Sequence, residues 1–211
     1  MNIISGDKLE FITETPPSRS QLKPIRLSAS HKAALNAEIV KLLSKNITTR
    51  SIHEEGEFVS QIFGVTNSDN SIRMILNLKD LNESIQFLHF KMDSIHSVLH
   101  NVTPGCFMAS LDLKSAYYSV PIAPEFQKYL KFEWNGKLYK FVCYPNGLGP
   151  CPRKFTKVTK VPLAELRRDN SIISGFIDDF HIQGHDYEEC WRTVLNSILL
   201  FDKTHISPSS K

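Results

Sequence analysis

Two adjacent carboxylates, Asp178 and Asp179, stand in the stretch S-G-F-I-D-D-F-H-I-Q-G over residues 174–184. Ile172, Ile173, Phe176 and Ile177 precede them and Phe180 and Ile182 follow, with Gly175 and Gly184 on either side. Short runs rich in Ile and Phe and bounded by glycine read as strands, which puts the pair at the tip of a β-hairpin. Aspartate is also a favoured turn residue, so on this stretch alone a plain turn is an equal reading. What separates the two readings is a third carboxylate on another strand end, and Asp112 is a candidate. In C-F-M-A-S-L-D-L-K-S-A-Y-Y-S-V-P over residues 106–121, strand alternation places Met108, Ser110 and Asp112 on one face and Phe107, Ala109 and Leu111 on the other. Asp112 then ends a strand expected to be buried, ahead of a helix-like turn over Lys114–Tyr118, where its bland role is a helix cap.

If the strands of Asp112 and Asp178 are neighbours, the carboxylates meet at one sheet edge. Carboxylate oxygens and water are the ligands Mg²⁺ prefers. Two such ions about 3.5–4 Å apart activate a 3′-hydroxyl and stabilise a leaving pyrophosphate in an in-line phosphoryl transfer. That chemistry also needs a cation for the incoming triphosphate, which Arg73 can supply from a separate hairpin. Tyr117, five residues after Asp112, would lie beside the sugar.

These residues need a scaffold. Residues 1–27 carry Pro16, Pro17 and Pro24 among polar residues and read as an extended lead-in. Ser28 or Ser30 caps a helix to about Lys45, with Leu35, Ile39, Leu42 and Leu43 as its apolar stripe and Asn46 as its stop. Phe58–Val65 and Ile72–Leu78 read as a hairpin around a polar turn at 66–71, with Arg73 near the turn on the more polar face. Residues 84–102 are expected to form a connecting helix with Ile95, Val98 and Leu99 inward. Asn135-Gly136 joins Lys128–Trp134 to Lys137–Val142 in the strongest short-range hairpin signal of the chain. A constrained loop at 144–152 leads into a helix beginning near Pro152, and Pro162 is expected to kink or end its first part. Arg153, Lys157 and Lys160 share one face of that helix, as a solvated surface or a track for a phosphate backbone. A last amphipathic helix spans Glu188–Asp202.

The chain of 211 residues is long enough for one sizeable domain or two small lobes, and its 41% hydrophobic and 22% charged content is that of an ordinary globular protein. No apolar run approaches a membrane span and the N-terminus lacks the pattern of a signal peptide. The expectation is a cytoplasmic or nuclear protein with no membrane partner. Cys106, Cys143, Cys151 and Cys190 have no C-x-x-C spacing, so reduced thiols are expected rather than disulfides or zinc. The net charge of +3 permits a nucleic-acid partner without requiring one.

Five ordered blocks over about residues 40–208 resemble the fingers and palm of a reverse transcriptase. They are FVSQIFGV with IRMILNLKDLN, SLDLKSAYYSVPI, YPNGLGPCPRKFTK, SGFIDDF and, less clearly, the terminal HISP. Within that family the phrases IISGDKLEF, HFKMDSIHSVL, YPNGLGPCPRKFTK and SGFIDDFHIQG look most like the DIRS-type retroelements, which carry a tyrosine recombinase. The resemblance implies an α+β right-hand polymerase fold limited to fingers and palm, an antiparallel palm sheet backed by helices, with the fingers mainly from the N-terminal third. Residues 28–211 would form this domain, stopping before a thumb; RNase H and recombinase regions would follow in a full-length element.

The resemblance also assigns roles. Asp112, Asp178 and Asp179 look like the catalytic, metal-binding carboxylates, with the backbone carbonyl of Leu113 as an extra ligand and two Mg²⁺ ions, replaceable by Mn²⁺. Phe176 takes the place of the tyrosine in a Y-x-D-D-like motif. Tyr117 is similar to the gate that excludes a ribose 2′-OH, Arg73 to the arginine that holds the triphosphate, and Asn146 and Gly147 to the loop that packs against nucleotide and template. The implied partners are dNTPs and a primed RNA or DNA template. The sequence departs from the family at Asn67-Ser68-Asp69-Asn70, where two lysines are common, at Gln61, where a proline is common, and at Ser210, which stands where a lysine is expected with Lys211 one place late. The implied function is RNA-directed DNA polymerisation, weak in this chain. The alternatives are a catalytically dead remnant that only binds nucleic acid and an RNA-dependent RNA polymerase, the latter disfavoured by the bulk of Tyr117.

Overall fold

The computed structural model describes residues 6–22, 26–68, 71–113, 116–204 and 206. The chain divides into two compact units that interleave in sequence, one of Met1–Phe87 with Val120–Cys151 and the other of Leu88–Ser119 with Pro152–Lys211.

In the first unit, helix α1 (Ala29–Ser44) is capped by Ser28, whose side chain accepts from the His31 N–H, and it buries Leu35, Ile39 and Leu42. It ends as expected, with Asn46 in the left-handed region at φ 55°. The expected hairpin arm 58–65 is two strands, not one. After β1 (Thr48–Arg50), β2 (Val59–Ser60) pairs in parallel with β6 (Lys131–Trp134), whereas β3 (Ile62–Thr66) pairs antiparallel with β4 (Ile72–Leu76). The strands divide at Gln61, whose carbonyl accepts from Asn77 N–H. A four-stranded sheet runs β1-β7-β6-β2, with β7 spanning Lys137–Phe141. The β6–β7 turn has both Asn135 and Gly136 at positive φ, as a type I′ turn demands. A short helix α2 (Lys79–Asn82) follows β4. The lead-in is extended but not loose: Asp7 bridges Ile122, Phe11 bridges Ile85 and Arg19 bridges Phe58. Part of it, residues 1–5 and 23–25, lies outside the described residues.

In the second unit, three antiparallel strands lie in the order β5-β9-β8, with β5 at Phe107–Asp112, β8 at Ile172–Phe176 and β9 at Asp179–Gly184. Helix α5 (Tyr187–Lys203) packs on β9 and β5, bringing Phe201 against Phe180 at 4.9 Å between ring centroids. Helix α4 (Cys151–Arg168) begins one residue before Pro152 and continues through the buried Pro162, which does not end it.

Two expectations fail here. The segment 84–102 is not one helix: only Ile95–Asn101 (α3) is helical, started by a Ser94–Ser97 capping box, and Ile95 and Leu99 are exposed rather than inward. Strand β5 is not buried throughout. It is an outer strand of its sheet, and Phe107 and Met108 are about half exposed while only Leu111 is buried. In both places apolar residues stand on the surface, and periodicity alone does not show that.

Candidate active site

The register of the second unit's sheet decides the first question. Asp112 on β5 stands directly opposite Asp179 on β9, and in an antiparallel ladder directly paired residues point to the same face. Strands β8 and β9 pair as far as Phe176 with Asp179, which leaves Ile177 and Asp178 as a two-residue turn. Such a turn needs positive φ, and Ile177 supplies it at φ 58°, an unfavourable place for a β-branched residue. The Asp178 carbonyl accepts from the Leu113 N–H at 2.9 Å, which ties the turn to the residue after Asp112. The hairpin tip and the strand end read from sequence are therefore neighbours.

Burial pushes the Asp178 carboxyl above the ordinary carboxylate range, and the negative charges of Asp179 and Asp112 push the same way, against a hydrogen bond from its own backbone N–H. The three carboxylates thus share one electrostatic environment, in which a divalent cation would relieve the repulsion. Their oxygens are the hard donors such a cation takes, so the residues fit it in donor type. Among the described residues, no three His, Cys, Asp or Glu side chains are already drawn together around a single point. The same unit holds a cavity of about 760 Å³, lined by Ile95, Val98, Ser110, Ser174, Phe176 and Asp179 among others.

Tyr117 lies in the 3₁₀ turn Ala116–Ser119, half-buried, with its ring edge-on to Phe155 of α4 at 5.7 Å between centroids. That contact fixes an aromatic close in sequence to Asp112. Lys114 and Ser115 lie outside the described residues. On α4, Lys157 and Lys160 are exposed and Arg153 is half-buried, consistent with one basic face.

The remaining candidates belong to the first unit. Arg73 is exposed on β4 opposite Val65. Asn146 and Gly147 are exposed in the loop before α4, with Gly147 at φ 90°. That loop is pinned by a residue the sequence reading passed over. Asn82 donates to the Gly147 carbonyl at 2.9 Å and accepts from the Gly149 N–H at 2.8 Å. Nothing local in the sequence marks Asn82 for this, because its partners lie more than sixty residues away. Of the altered turn, Asn67 and Ser68 are described and Asp69 and Asn70 are not; Ser210 and Lys211 also lie outside the described residues.

Residues 65–203 match the family model for reverse transcriptase (RNA-dependent DNA polymerase). The chain belongs to the reverse transcriptase family. It is 23% identical over 167 residues to the Pro-Pol polyprotein of simian foamy virus type 1, covering 79% of this chain and 14% of that protein. The native protease–reverse transcriptase of prototype foamy virus superposes with a TM-score of 0.78 at 20% identity, over 96% of this chain and 26% of that one. A foamy viral protease–reverse transcriptase in complex with double-stranded DNA also gives 0.78, at 18% identity, over 99% and 34%. The fold is mixed helix and sheet, consistent with the fingers and palm of a right-hand polymerase. The chain spans a small part of the length of these relatives, and among the described residues no helix is long and apolar enough to cross a membrane.

Proposed function

We propose that this chain is an RNA-directed DNA polymerase domain that adds dNTPs to a primer 3′-hydroxyl, with the second unit as palm and the first as fingers. The observation that carries the reading is the register placing Asp112 opposite Asp179, with Asp178 in the adjoining turn. Asp112, Asp178 and Asp179, with the carbonyl of Leu113, would hold two divalent ions, Mg²⁺ or in its place Mn²⁺. When bound, these ions supply Lewis-acid activation of the primer hydroxyl and charge neutralisation at the leaving pyrophosphate. The rest is the work of the chain's own residues. Tyr117, braced against Phe155, excludes a ribose 2′-OH; Arg73 holds the triphosphate; Asn146 and Gly147, fixed by Asn82, pack against nucleotide and template. The Arg153, Lys157 and Lys160 face of α4 tracks a phosphate backbone.

The motif wording supports a retrotransposon of the DIRS-type group as the source, with RNase H and recombinase regions as companions. The double-stranded DNA bound by one structural relative supports a primed duplex as partner, and the cytoplasm or nucleus suits such a template. Loss of two fingers lysines at Asn67 and Ser68 weakens nucleotide binding: each charge-assisted contact is worth about 1–3 kcal/mol. This loss also favours the second reading, a nucleic-acid-binding remnant without synthesis.

Asp112→Asn separates the two. Metal-dependent dNTP incorporation on a primed RNA template by the wild type, lost in Asp112→Asn while template binding persists, supports the polymerase. Template binding with no incorporation by either protein supports the remnant.

A further inference from the structure

Strand β8 leads into the Asp178 turn. Strand β8 is an outer strand of its sheet, hydrogen-bonded to β9 on one side only. In an antiparallel strand, alternate residues direct their N–H and C=O to opposite edges. At the outer edge the Ile173 carbonyl and the Gly175 N–H would face no strand, which is the ordinary liability of a sheet edge. Both are occupied by side chains. Arg167, in the last turn of α4, donates to the Ile173 carbonyl through Nε at 3.0 Å and Nη2 at 2.9 Å. Asp93, the residue before the Ser94 cap of α3, accepts from the Gly175 N–H through Oδ2 at 3.0 Å. Arg167 Nη2 also donates to that same Asp93 oxygen, so the two side chains form one unit.

A donor at one residue and an acceptor two residues on are what the backbone of a neighbouring strand would present. We infer that Asp93 and Arg167 stand in for a fourth strand and act as positioning residues for the Asp178 carboxylate. The inference rests on the metal-dependent polymerase reading above. Gly175 is three residues from Asp178, and Phe176 and Ile177 lie between. Ile177 is held in the left-handed region, so the turn depends on its flanks being fixed. One flank is fixed by the bond from Leu113 N–H to the Asp178 carbonyl. The other is the Asp93–Arg167 clamp. Its side chains are 31% and 43% exposed, and an ion pair so placed adds little to global stability, so its consequence is local geometry. The phrase K-M-D-S contains Asp93 but gives no hint of a partner on α4.

The test measures Mn²⁺ affinity by water-proton relaxation, without nucleotide or template, on the full chain. Hydrogen exchange of residues 172–179 is followed alongside. Asp93→Ala and Arg167→Ala are expected to weaken Mn²⁺ about tenfold, the size seen when residues that orient metal ligands are removed, and to speed exchange at Gly175. Asp93→Asn keeps an acceptor for the Gly175 N–H and stays within about threefold of the wild type. Should the alanine variants fail to fold, Arg167→Lys decides, because it retains the charge and loses the fork onto Ile173; a loss of about threefold or more is expected. Faster exchange at Gly175 with unchanged Mn²⁺ affinity would reduce the clamp to a structural edge cap. A wild type that binds Mn²⁺, loses it in Asp178→Asn and keeps it in every clamp variant overturns this inference alone. A wild type that binds no Mn²⁺ overturns the metal reading and this inference with it.

Discussion

Replacing Gly175 by alanine puts a methyl group into the layer between β8 and α4. An added Cβ would lie 2.8 Å from Phe180 Cε1, 3.1 Å from Phe180 Cδ1 and 3.1 Å from Leu163 Cδ1. Neither neighbour has space to retreat. Phe180 is 2% exposed and Leu163 5%, and behind Phe180 stands Phe201, itself fully buried, at 4.9 Å between ring centroids. Gly175 has no positive φ, so the backbone itself accepts alanine and the cost is steric. Overpacking of a close-packed site costs about 1–3 kcal/mol. For a chain of this size that lowers the melting temperature by about 2–12 °C, at roughly 2–4 °C per kcal/mol. Urea unfolding followed by circular dichroism gives the free energy. Phe180→Leu in the same chain makes room for the new methyl, so the double variant should be more stable than the sum of the two single effects by about 1 kcal/mol. A Gly175→Ala variant within about 0.5 kcal/mol of wild type would refute the steric argument, as would strict additivity in the double variant.

Lys131 is fully buried and donates to Glu57 and to the Ile52 carbonyl, both at 2.8 Å. Burial raises the Glu57 carboxyl, but hydrogen bonds from His53, Lys131 and the Glu54 N–H outweigh it and hold the group at about 2. A depressed carboxyl contributes stability that is complete above its ordinary value of 4.5 and is lost as pH falls toward about 2. Lys131→Met, which takes the buried cation away from the Glu57 carboxylate, should cost about 3–5 kcal/mol at neutral pH, a cost that shrinks as pH falls and Glu57 takes up a proton, as read by urea unfolding followed by circular dichroism. Asp178 has the opposite sign. Its raised carboxyl makes the metal-free chain lose stability as pH rises from the ordinary carboxylate range through the raised value, so Asp178→Asn should melt higher than wild type at neutral pH in the presence of a chelator. An equal or lower melting point would contradict the burial of this carboxylate beside two others. Tyr117→Ala should relax the choice of dNTP over NTP by about ten- to a hundredfold in competitive incorporation, whereas unchanged selectivity would remove Tyr117 from the gate.

How much of this was legible depended on the range of the interaction. The type I′ turn at Asn135-Gly136 and the cap at Ser28 are local devices, and each is where the residue types put it. The Asp178–Asp179 hairpin and the Asp112 strand end were readable as elements. Their adjacency was not, because no spacing along a chain records which strands pair; the register supplied it. Of the helix expected over 84–102 only Ile95–Asn101 formed, and its expected inward face was misread because Ile95 and Leu99 lie on the surface, so their period carried no information about burial. Asn82, Asp93 and Arg167 were missed for a related reason. Asn82 and Asp93 act on backbone groups more than sixty residues away and Arg167 on one six residues on, and a polar residue that serves a strand's or loop's backbone looks the same in sequence as a solvated one.

The most direct test of the account is single-nucleotide addition to a primed RNA template with Mg²⁺, comparing the wild-type chain with Asp178→Asn. The prediction is a measurable, metal-dependent addition of dNTP by the wild type that falls by at least about a hundredfold in the variant, with primer–template affinity unchanged. Equal rates in the two proteins would contradict the assignment of the Asp178 turn as the centre of the polymerase site.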